Sequence, residues 1–355
     1  MKAKLSLVTI ACSILLAACG GGGGDSSPAS NGAAPAGTSP TTPPVVTPTP
    51  TPAPTPVPTP VSTSDLQTTV AVPTYAAGSQ QREFFDTLND FRAKLGLGLV
   101  AQNTKLDAAN ENHLKYLMTN TDVNFSAVDP KSGRPFFHLE DPARVNYTGI
   151  TELDRANFTQ YGGVYVGETG AYGKGEGAKV ALTDLIATVY HRIGLMMQFP
   201  RDVGIAVGTD QFQTMVVTFG YNSTQQKNAT DYFGSYPADK QTNVPLVAYI
   251  ETPNPFPEIT YAEFGTKTSF PITVAVESRS TLAVTSFTVT EAGQATPLDV
   301  RLMTKETDPN KMIQANTAAI IGKAPFKPNT SYTVRFEGTN NGTAIVKTWT
   351  FTTSA

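Results

Sequence analysis

The chain has 355 residues and a formal net charge of -3, from 26 lysine and arginine residues against 29 aspartate and glutamate residues. This length predicts about two domains once segments that do not fold are set aside. The weak negative charge provides no cationic surface for phosphates, so nucleic acid is excluded as an expected partner. Charged residues make up 15% of the chain, below the roughly 25% usual for soluble domains, and residues 26–64 contain none.

The positions of cysteine and histidine limit the available chemistry. Both cysteines, Cys12 and Cys19, lie within the first twenty residues. The rest of the chain therefore has no thiol nucleophile, internal disulfide or cysteine metal cluster. The three histidines, His113, His138 and His191, lie in one central stretch, and any histidine chemistry is expected there.

The N-terminus has the pattern of a bacterial export signal. Lys2 and Lys4 precede an apolar run over residues 5–18, which is shorter than the ~20 residues needed to span a bilayer. We therefore predict a signal peptide over residues 1–18. The sequence Leu-Ala-Ala-Cys at residues 16–19 resembles a lipobox, which implies diacylation of Cys19 and a membrane as partner. The alternative is an ordinary signal peptide with an incidental cysteine.

The segment that begins at Cys19 has the composition of a spacer. Residues 19–64 are rich in Gly, Pro and Thr, and twelve of the 27 prolines lie between Pro28 and Pro60. Such a sequence favours extended polyproline II and cannot bury a core, so we predict a disordered stalk. Gly20, directly after the lipidated cysteine, resembles the pattern for sorting to the outer membrane. The expected location is the cell envelope, at the outer membrane and facing the periplasm or the surface.

Residues 65–250 mix helical and strand-like patterns. Apolar residues at a 3.6-residue period predict helices over residues 80–95, 105–119 and 178–195. Short runs rich in valine and aromatic residues predict strands at residues 164–166, 203–207 and 215–221. This mixture predicts an α+β domain in which helices pack on a small sheet.

After residue 250 the pattern changes to one typical of an all-β domain. Strand-like runs lie at residues 270–276, 282–289, 297–303, 318–321, 332–336 and 343–351, separated by turn residues. This spacing predicts a β-sandwich over residues 251–355. Tyr332 and the C-terminal run around Trp349 resemble bacterial immunoglobulin-like domains. We expect Trp349, the only tryptophan, to anchor the core, and we assign this domain no chemistry.

Five motifs between residues 80 and 221 resemble the CAP superfamily, also called SCP-like, in its cysteine-free bacterial branch. Residues 88–97 resemble the opening helix with its Asn-x-x-Arg core, and residues 106–113 resemble the second helix. The other three motifs are Phe137-His138, Gly167-Glu168, and His191-Arg192 followed by the glycine-containing strand at 203–208. The resemblance implies an α-β-α sandwich.

The same resemblance implies a central cleft lined by two histidines and two acidic residues. These are His138, His191, Glu168 and a second carboxylate, for which Glu140 is preferred and Asp141 is the alternative. Some members of the family bind a divalent metal there, which makes His138 and His191 the expected ligands of a metal such as zinc. The family's Asn after Gly-Glu is replaced by threonine, and its Ser-x-Gly before the second histidine reads Thr-Val-Tyr.

Several functions are compatible with this set of residues. Two neutral imidazoles can ligate zinc while carboxylates orient them, or the set can serve in general acid–base chemistry with Glu168, His138 and His191 as catalytic candidates. A hydrogen-bonded network without chemistry is a third interpretation. We favour binding of a divalent metal or a small amphipathic molecule without turnover. The alternatives are a metal-assisted, protease-like hydrolase and an adhesion or scaffold protein, with a lipid or a cell-surface protein as partner.

Two further features are given no function. His113 lies on the apolar side of its predicted helix, which is typical of a core histidine. The glycine-rich residues 173–177 lack the Gly-Lys-Ser/Thr ending of a phosphate loop, so we predict a turn and no nucleotide. The Gly-x-Ser-x-Gly motif of esterases and the His-Glu-x-x-His motif of zinc proteases are both absent.

Overall fold

The computed structural model describes residues 12–13, 63–172, 177–210 and 213–355. Most of the predicted signal peptide, the lipidation position Cys19 and nearly all of the stalk lie outside the described residues. So do most of the glycine-rich residues 173–177. In the part of the chain that is described, no helix combines the length and the hydrophobicity that crossing a bilayer requires.

Five helices lie in the first region: α1 (Gln80–Lys94), α2 (Thr104–Thr119), α3 (Glu152–Phe158), α4 (Ala178–Ile186) and α5 (Tyr190–Leu195). Local capping sets where three of them begin. Ser79 and Asn103 accept backbone hydrogen bonds at the starts of α1 and α2, and Thr151 with Asp154 forms a capping box at the start of α3.

The helix predicted over residues 178–195 is two helices, which corrects the sequence analysis. The chain leaves α4 at Ala187, and the Thr188 hydroxyl donates back to the carbonyl oxygen of Leu185. The backbone N–H groups of Val189 and Tyr190 then donate to a carboxylate distant in sequence, Glu251, instead of to the preceding turn. Apolar periodicity continues across such a break, which is why it did not reveal the break.

The first region contains a five-stranded sheet with the order β1-β3-β5-β4-β2. Its strands are β1 (Cys12–Ser13), β2 (Ala101–Gln102), β3 (Tyr165–Tyr172), β4 (Asp202–Val207) and β5 (Thr214–Tyr221). Strand β5 pairs antiparallel with both β3 and β4, whereas β2 pairs parallel with β4. The edge of β3 pairs with β1, which belongs to the predicted signal peptide.

Helices cover both faces of this sheet, as alternate residues of β5 show. Val217 packs in a core with Phe84 of α1 and Leu185 of α4, whereas Val216 packs with Leu114 of α2. Close approach of α2 to β4 needs Gly204, since a Cβ there would lie 2.4 Å from the backbone of α2. The predicted α-β-α sandwich, and with it the α+β class, is confirmed.

The second region contains two four-stranded sheets, with the orders β10-β11-β8-β6 and β7-β13-β12-β9. The six predicted strands correspond to β8 (Ile272–Val276), β9 (Leu282–Glu291), β10 (Val300–Met303), β11 (Thr317–Gly322), β12 (Ser331–Asn340) and β13 (Thr343–Thr353). A short helix, α6 (Phe264–Lys267), precedes β8. Trp349 is buried, as expected, and its indole N–H donates to the carbonyl oxygen of Pro237.

Two strands of these sheets come from residues before 250. Strand β6 (Phe233–Tyr236) pairs antiparallel with β8, and β7 (Gln241–Val244) pairs parallel with β13. The sheets of the second region therefore begin at Phe233, and backbone hydrogen bonds cross the boundary expected at residue 250. Side chains of both regions also share one hydrophobic core, in which Leu88 and Phe270 are members.

Candidate functional site

Three of the predicted cleft residues lie together beneath the loops that follow α2. His138 ends a 3₁₀ turn (Phe136–His138), Glu140 follows it by two residues, and Glu168 lies on β3. His113, on α2, joins them. All four side chains are buried. The turn, the segment after it, the helix and the strand therefore place two imidazoles and two carboxylates together in the interior.

The two histidines connect the two carboxylates. The Nδ1 atom of His138 lies 2.9 Å from Oε1 of Glu168, and the Nδ1 atom of His113 lies 2.9 Å from Oε1 of Glu140. The Nε2 atom of His113 lies 2.8 Å from the carbonyl oxygen of Phe137 and 3.7 Å from Oε1 of Glu168. His113 therefore contacts both carboxylates, although the sequence indicated only a core residue.

Arg155 of α3 supplies the positive charge of this network. Its Nη2 atom donates to Oε2 of Glu168 at 2.7 Å, and its Nη1 atom donates to the carbonyl oxygen of His138 at 3.2 Å. The Nε atom lies 4.0 Å from Glu140. Sequence analysis gave Arg155 no role, because a single arginine in a short helix carries no pattern that distinguishes a buried partner from a surface charge.

Burial and charge together set the protonation of the network. Burial alone would raise the pKa of Glu168, but Arg155, His113 and His138 lower it to well below its ordinary value. Burial lowers the pKa of His138, against the opposite effect of Glu168. At neutral pH the network therefore holds an ionised Glu168 beside a neutral His138. We name the set His113, His138, Glu140, Arg155 and Glu168 the buried network.

Glu140 is the second carboxylate of the network, and Asp141 is not part of it. Besides His113, Glu140 accepts hydrogen bonds from the backbone N–H groups of Thr148 at 2.6 Å and Gly149 at 3.2 Å. Asp141 is exposed, and its carboxylate accepts from the backbone N–H of Ala143. Glu140 thus attaches the loop at residues 148–149 to the interior.

His191 lies in a separate pair. Its Nδ1 atom lies 3.0 Å from Oε2 of Glu251, whose carboxylate also accepts from the backbone N–H groups at the start of α5. Among the described residues, no hydrogen bond or ion pair joins His191 to the buried network. The structure thus brings together His138, Glu140 and Glu168 of the predicted cleft set, and pairs His191 with Glu251, which sequence analysis did not identify.

The two histidines predicted to ligate zinc do not share a site among the described residues. His138 and His191 each bind a different carboxylate through Nδ1. Within the ranges that the structure describes, no group of three His, Cys, Asp or Glu side chains could hold a metal ion. The pair predicted to ligate zinc therefore does not fit a shared zinc site in this arrangement, and zinc binding stays a prediction.

A cavity of about 600 Å³ lies beside the buried network, among the loops between α2 and α3. Tyr116, Phe136 and Leu139 contribute apolar surface, and Glu140 reaches its wall from the network. We name it the loop cavity. The remaining lining residues are Val123, Asn124, Ala127, Asp129, Lys131, Asp141, Pro142, Arg144 and Ile150.

No protein-family model matches the chain, and no curated protein matches its sequence. Two solved structures match part of the chain. An extracellular protein containing an SCP domain from Bacillus anthracis is 20% identical over 40% of this chain and 40% of its own length, with a TM-score of 0.31. An outer surface protein from Borrelia burgdorferi is 15% identical over 41% of this chain and 93% of its own, also with a TM-score of 0.31. At these TM-scores the matches assign neither a family nor a function.

Proposed function

We propose that this protein is a cell-envelope lipoprotein of the CAP type, anchored through Cys19, that binds a small amphipathic molecule in the loop cavity. The export signal, the lipobox and the Pro-rich stalk support the anchoring. The observation that carries the binding function is a cavity of about 600 Å³ with mostly apolar walls next to a buried carboxylate. Sites for small ligands have this size and this combination of apolar walls with few polar groups.

The distribution of side chains in the loop cavity suits a ligand with an apolar body and a polar end. Phe136 and Leu139 are half-buried and offer apolar contact. Lys131 and Asp141 are exposed, so charged groups of both signs lie where the cavity meets water. A ligand that buries its chain against Phe136 can keep its head group hydrated, which avoids the cost of desolvating a charge.

Exposed apolar side chains also occur on the loops that line the cavity. Ile150, a lining residue, is 47% exposed, and Val128, Val145 and Tyr147, which lie within three residues of lining residues in sequence, are also exposed. Contiguous apolar groups on a protein surface mark an interaction site more often than isolated ones do. The exposure of Ile150 therefore supports binding of an apolar ligand at the cavity.

In this function the buried network positions the cavity, and Glu140 is its one member among the lining residues. Glu140 attaches residues 148–149 to His113, and Arg155 attaches α3 to Glu168. The hydrolase alternative has less support, since a general base must reach the proton it removes, and the side chains of His138 and Glu168 are fully buried.

Calorimetric titration of the purified protein tests this proposal. The ligands are dodecanoate, dodecyltrimethylammonium and dodecyl maltoside, each below the concentration at which it forms micelles, so that the preferred head-group charge is read directly. We expect one of them to bind, and Ile150→Glu to weaken that binding about tenfold, because a carboxylate replaces apolar contact surface.

Val346→Glu is the matched control, since Val346 on β13 is 58% exposed and does not line the cavity. It should leave the affinity unchanged. If none of the three amphiphiles binds to the folded protein, or if both variants bind equally well, the loop cavity is not the site and the proposal fails.

A further inference from the structure

A second cavity, of about 690 Å³, lies where the helices of the first region face the sheets of the second. Helices α1 and α4 form one wall, and the turn that joins β6 to β7 forms the other. We name it the seam groove. Its lining residues are Thr87, Asp90, Phe91, Lys94, Lys179, Thr183, Ile186, Tyr236, Ala238, Asp239, Lys240, Gln241, Thr242, Asn243, Pro245 and Phe270.

Helix geometry places the polar residues of the first wall in the groove. Residues 87, 90, 91 and 94 recur at three- and four-residue spacing, so they share one face of α1. Residues 179, 183 and 186 do the same on α4. This wall therefore presents two threonines and two lysines alongside Asp90, with Phe91 and Ile186 as its apolar part.

Two residues of the second wall have a backbone conformation that residues other than glycine rarely adopt. Lys240 has φ 61° and Asn243 has φ 55°, both in the left-handed region. The backbone N–H of Lys240 donates to the carbonyl oxygen of Thr350 at 2.7 Å, and Asp239 accepts from the N–H of Thr350 at 3.1 Å. Strain of this kind persists where surrounding contacts enforce it, so the turn presents Lys240 from a fixed backbone.

The groove carries one more positive than negative side chain, since three lysines and two aspartates line it. Lys94, Lys179 and Lys240 are exposed, and none of them forms an ion pair with any described residue. Both aspartates, Asp90 and Asp239, are exposed and keep their charge, and Asp239 is held in place by a hydrogen bond from the backbone N–H of Thr350. A local charge of +1, in a chain with a net charge of -3, favours an anion in this groove.

We propose that the seam groove binds an acidic oligosaccharide. The lysines would pair with the carboxylates of the saccharide, and Thr87, Thr183, Thr242 and Asn243 would exchange hydrogen bonds with its hydroxyl groups. Tyr236 adds a side chain with an apolar body and a polar tip, which suits the mixed surface of a sugar ring. The volume of about 690 Å³ accommodates more than one sugar. This site is independent of the loop cavity.

Calorimetry with a hexagalacturonate tests the proposal, with maltohexaose as its neutral counterpart and inorganic phosphate as a simple anion. We expect the hexagalacturonate to bind at low salt and to weaken as sodium chloride is added, since salt screens exposed charges. The triple variant Lys94→Gln, Lys179→Gln and Lys240→Gln should bind about tenfold more weakly, because each exposed pair contributes modestly.

The control is a second triple variant, Lys105→Gln, Lys305→Gln and Lys311→Gln, which removes the same charge outside the groove. Lys311 has φ 57° and so matches Lys240 in backbone strain. This variant should bind as the parent protein does. The proposal is overturned if the folded protein does not bind the hexagalacturonate, if both triple variants weaken binding equally, or if maltohexaose or phosphate binds as tightly.

Discussion

Two buried histidine–carboxylate pairs among the described residues, His138–Glu168 and His191–Glu251, differ in what surrounds them, and a third pair, His113–Glu140, belongs to the same network as the first. In the buried network, Glu168 binds His138 and is also paired with the guanidinium of Arg155. At the junction with the second region, Glu251 binds His191 and otherwise only backbone N–H groups of α5. The first pair holds helix, turn and strand together within one region. The second joins two regions, since His191 lies on α5 and Glu251 follows β6 and β7 of the second region. The same chemistry thus has two structural uses.

The largest expected effect on stability comes from removing the positive charge of Arg155, which compensates the charge of Glu168. Arg155→Met leaves Glu168 ionised and buried beside neutral side chains, which should lower the free energy of unfolding by about 3–5 kcal/mol. Urea unfolding measures this. Arg335→Met is the control, because Arg335 is half-exposed and pairs with Glu337 at the surface, and it should change stability little. Equal losses in the two variants would contradict the role given to Arg155.

A smaller effect is expected at the junction between the regions. Glu251→Gln keeps an oxygen acceptor for the start of α5 but removes the charge that His191 faces, so the free energy of unfolding should fall by about 1–3 kcal/mol. Hydrogen exchange should show faster opening of α5, whereas α2 should exchange as before. Faster exchange throughout both regions would mean that the pair does not act locally.

The pH dependence of stability tests the charges of the buried network. The pKa of His138 is lowered in the folded state, so the unfolded chain takes up its proton first and stability falls as the pH drops below about 6.5. The pKa of Glu168 is also lowered, so the stability it contributes is complete above about pH 4.5 and is lost as the pH falls further.

Unfolding temperatures measured from pH 8 to pH 4 test this order. His138→Gln retains a donor for Glu168 and should remove the part of the loss that lies between pH 7 and pH 5. A variant with the same profile as the parent protein would show that His138 does not titrate as described.

The smallest effect on the unfolding temperature is expected from added zinc. Since His138 and His191 bind separate carboxylates, zinc should leave the unfolding temperature unchanged. Binding to the folded state alone would raise it by mass action. A rise that disappears in His191→Ala would show that the two pairs rearrange around a metal, and would support the metal-site prediction.

Local patterns in the sequence revealed the parts of the fold that depend on local periodicity. The bounds predicted for α1 and α2 agree with the structure within one residue, because their buried residues follow a 3.6-residue period. The family motifs likewise identified His138 and Glu168, which the structure pairs. Predicting these features requires only the pattern of neighbouring residues or a motif that is already known.

The remaining parts depend on contacts between distant segments. Nothing in the sequence near Glu251 indicates that it caps α5, since the contact forms only when the second region packs against the first. His113 was assigned to the core because a helix face shows that a side chain is buried and does not show what it contacts. The break between α4 and α5 has the same origin, as it depends on Glu251.

A crystal structure of the protein with the tightest-binding dodecyl amphiphile tests the central claim most directly. The account predicts electron density for the dodecyl chain in the loop cavity, against Phe136, Leu139 and Ile150, with the head group near Lys131 or Asp141 and the buried network unchanged. Density for the ligand at another site, or a ligand in contact with His138 and Glu168 after the network has opened, would contradict it.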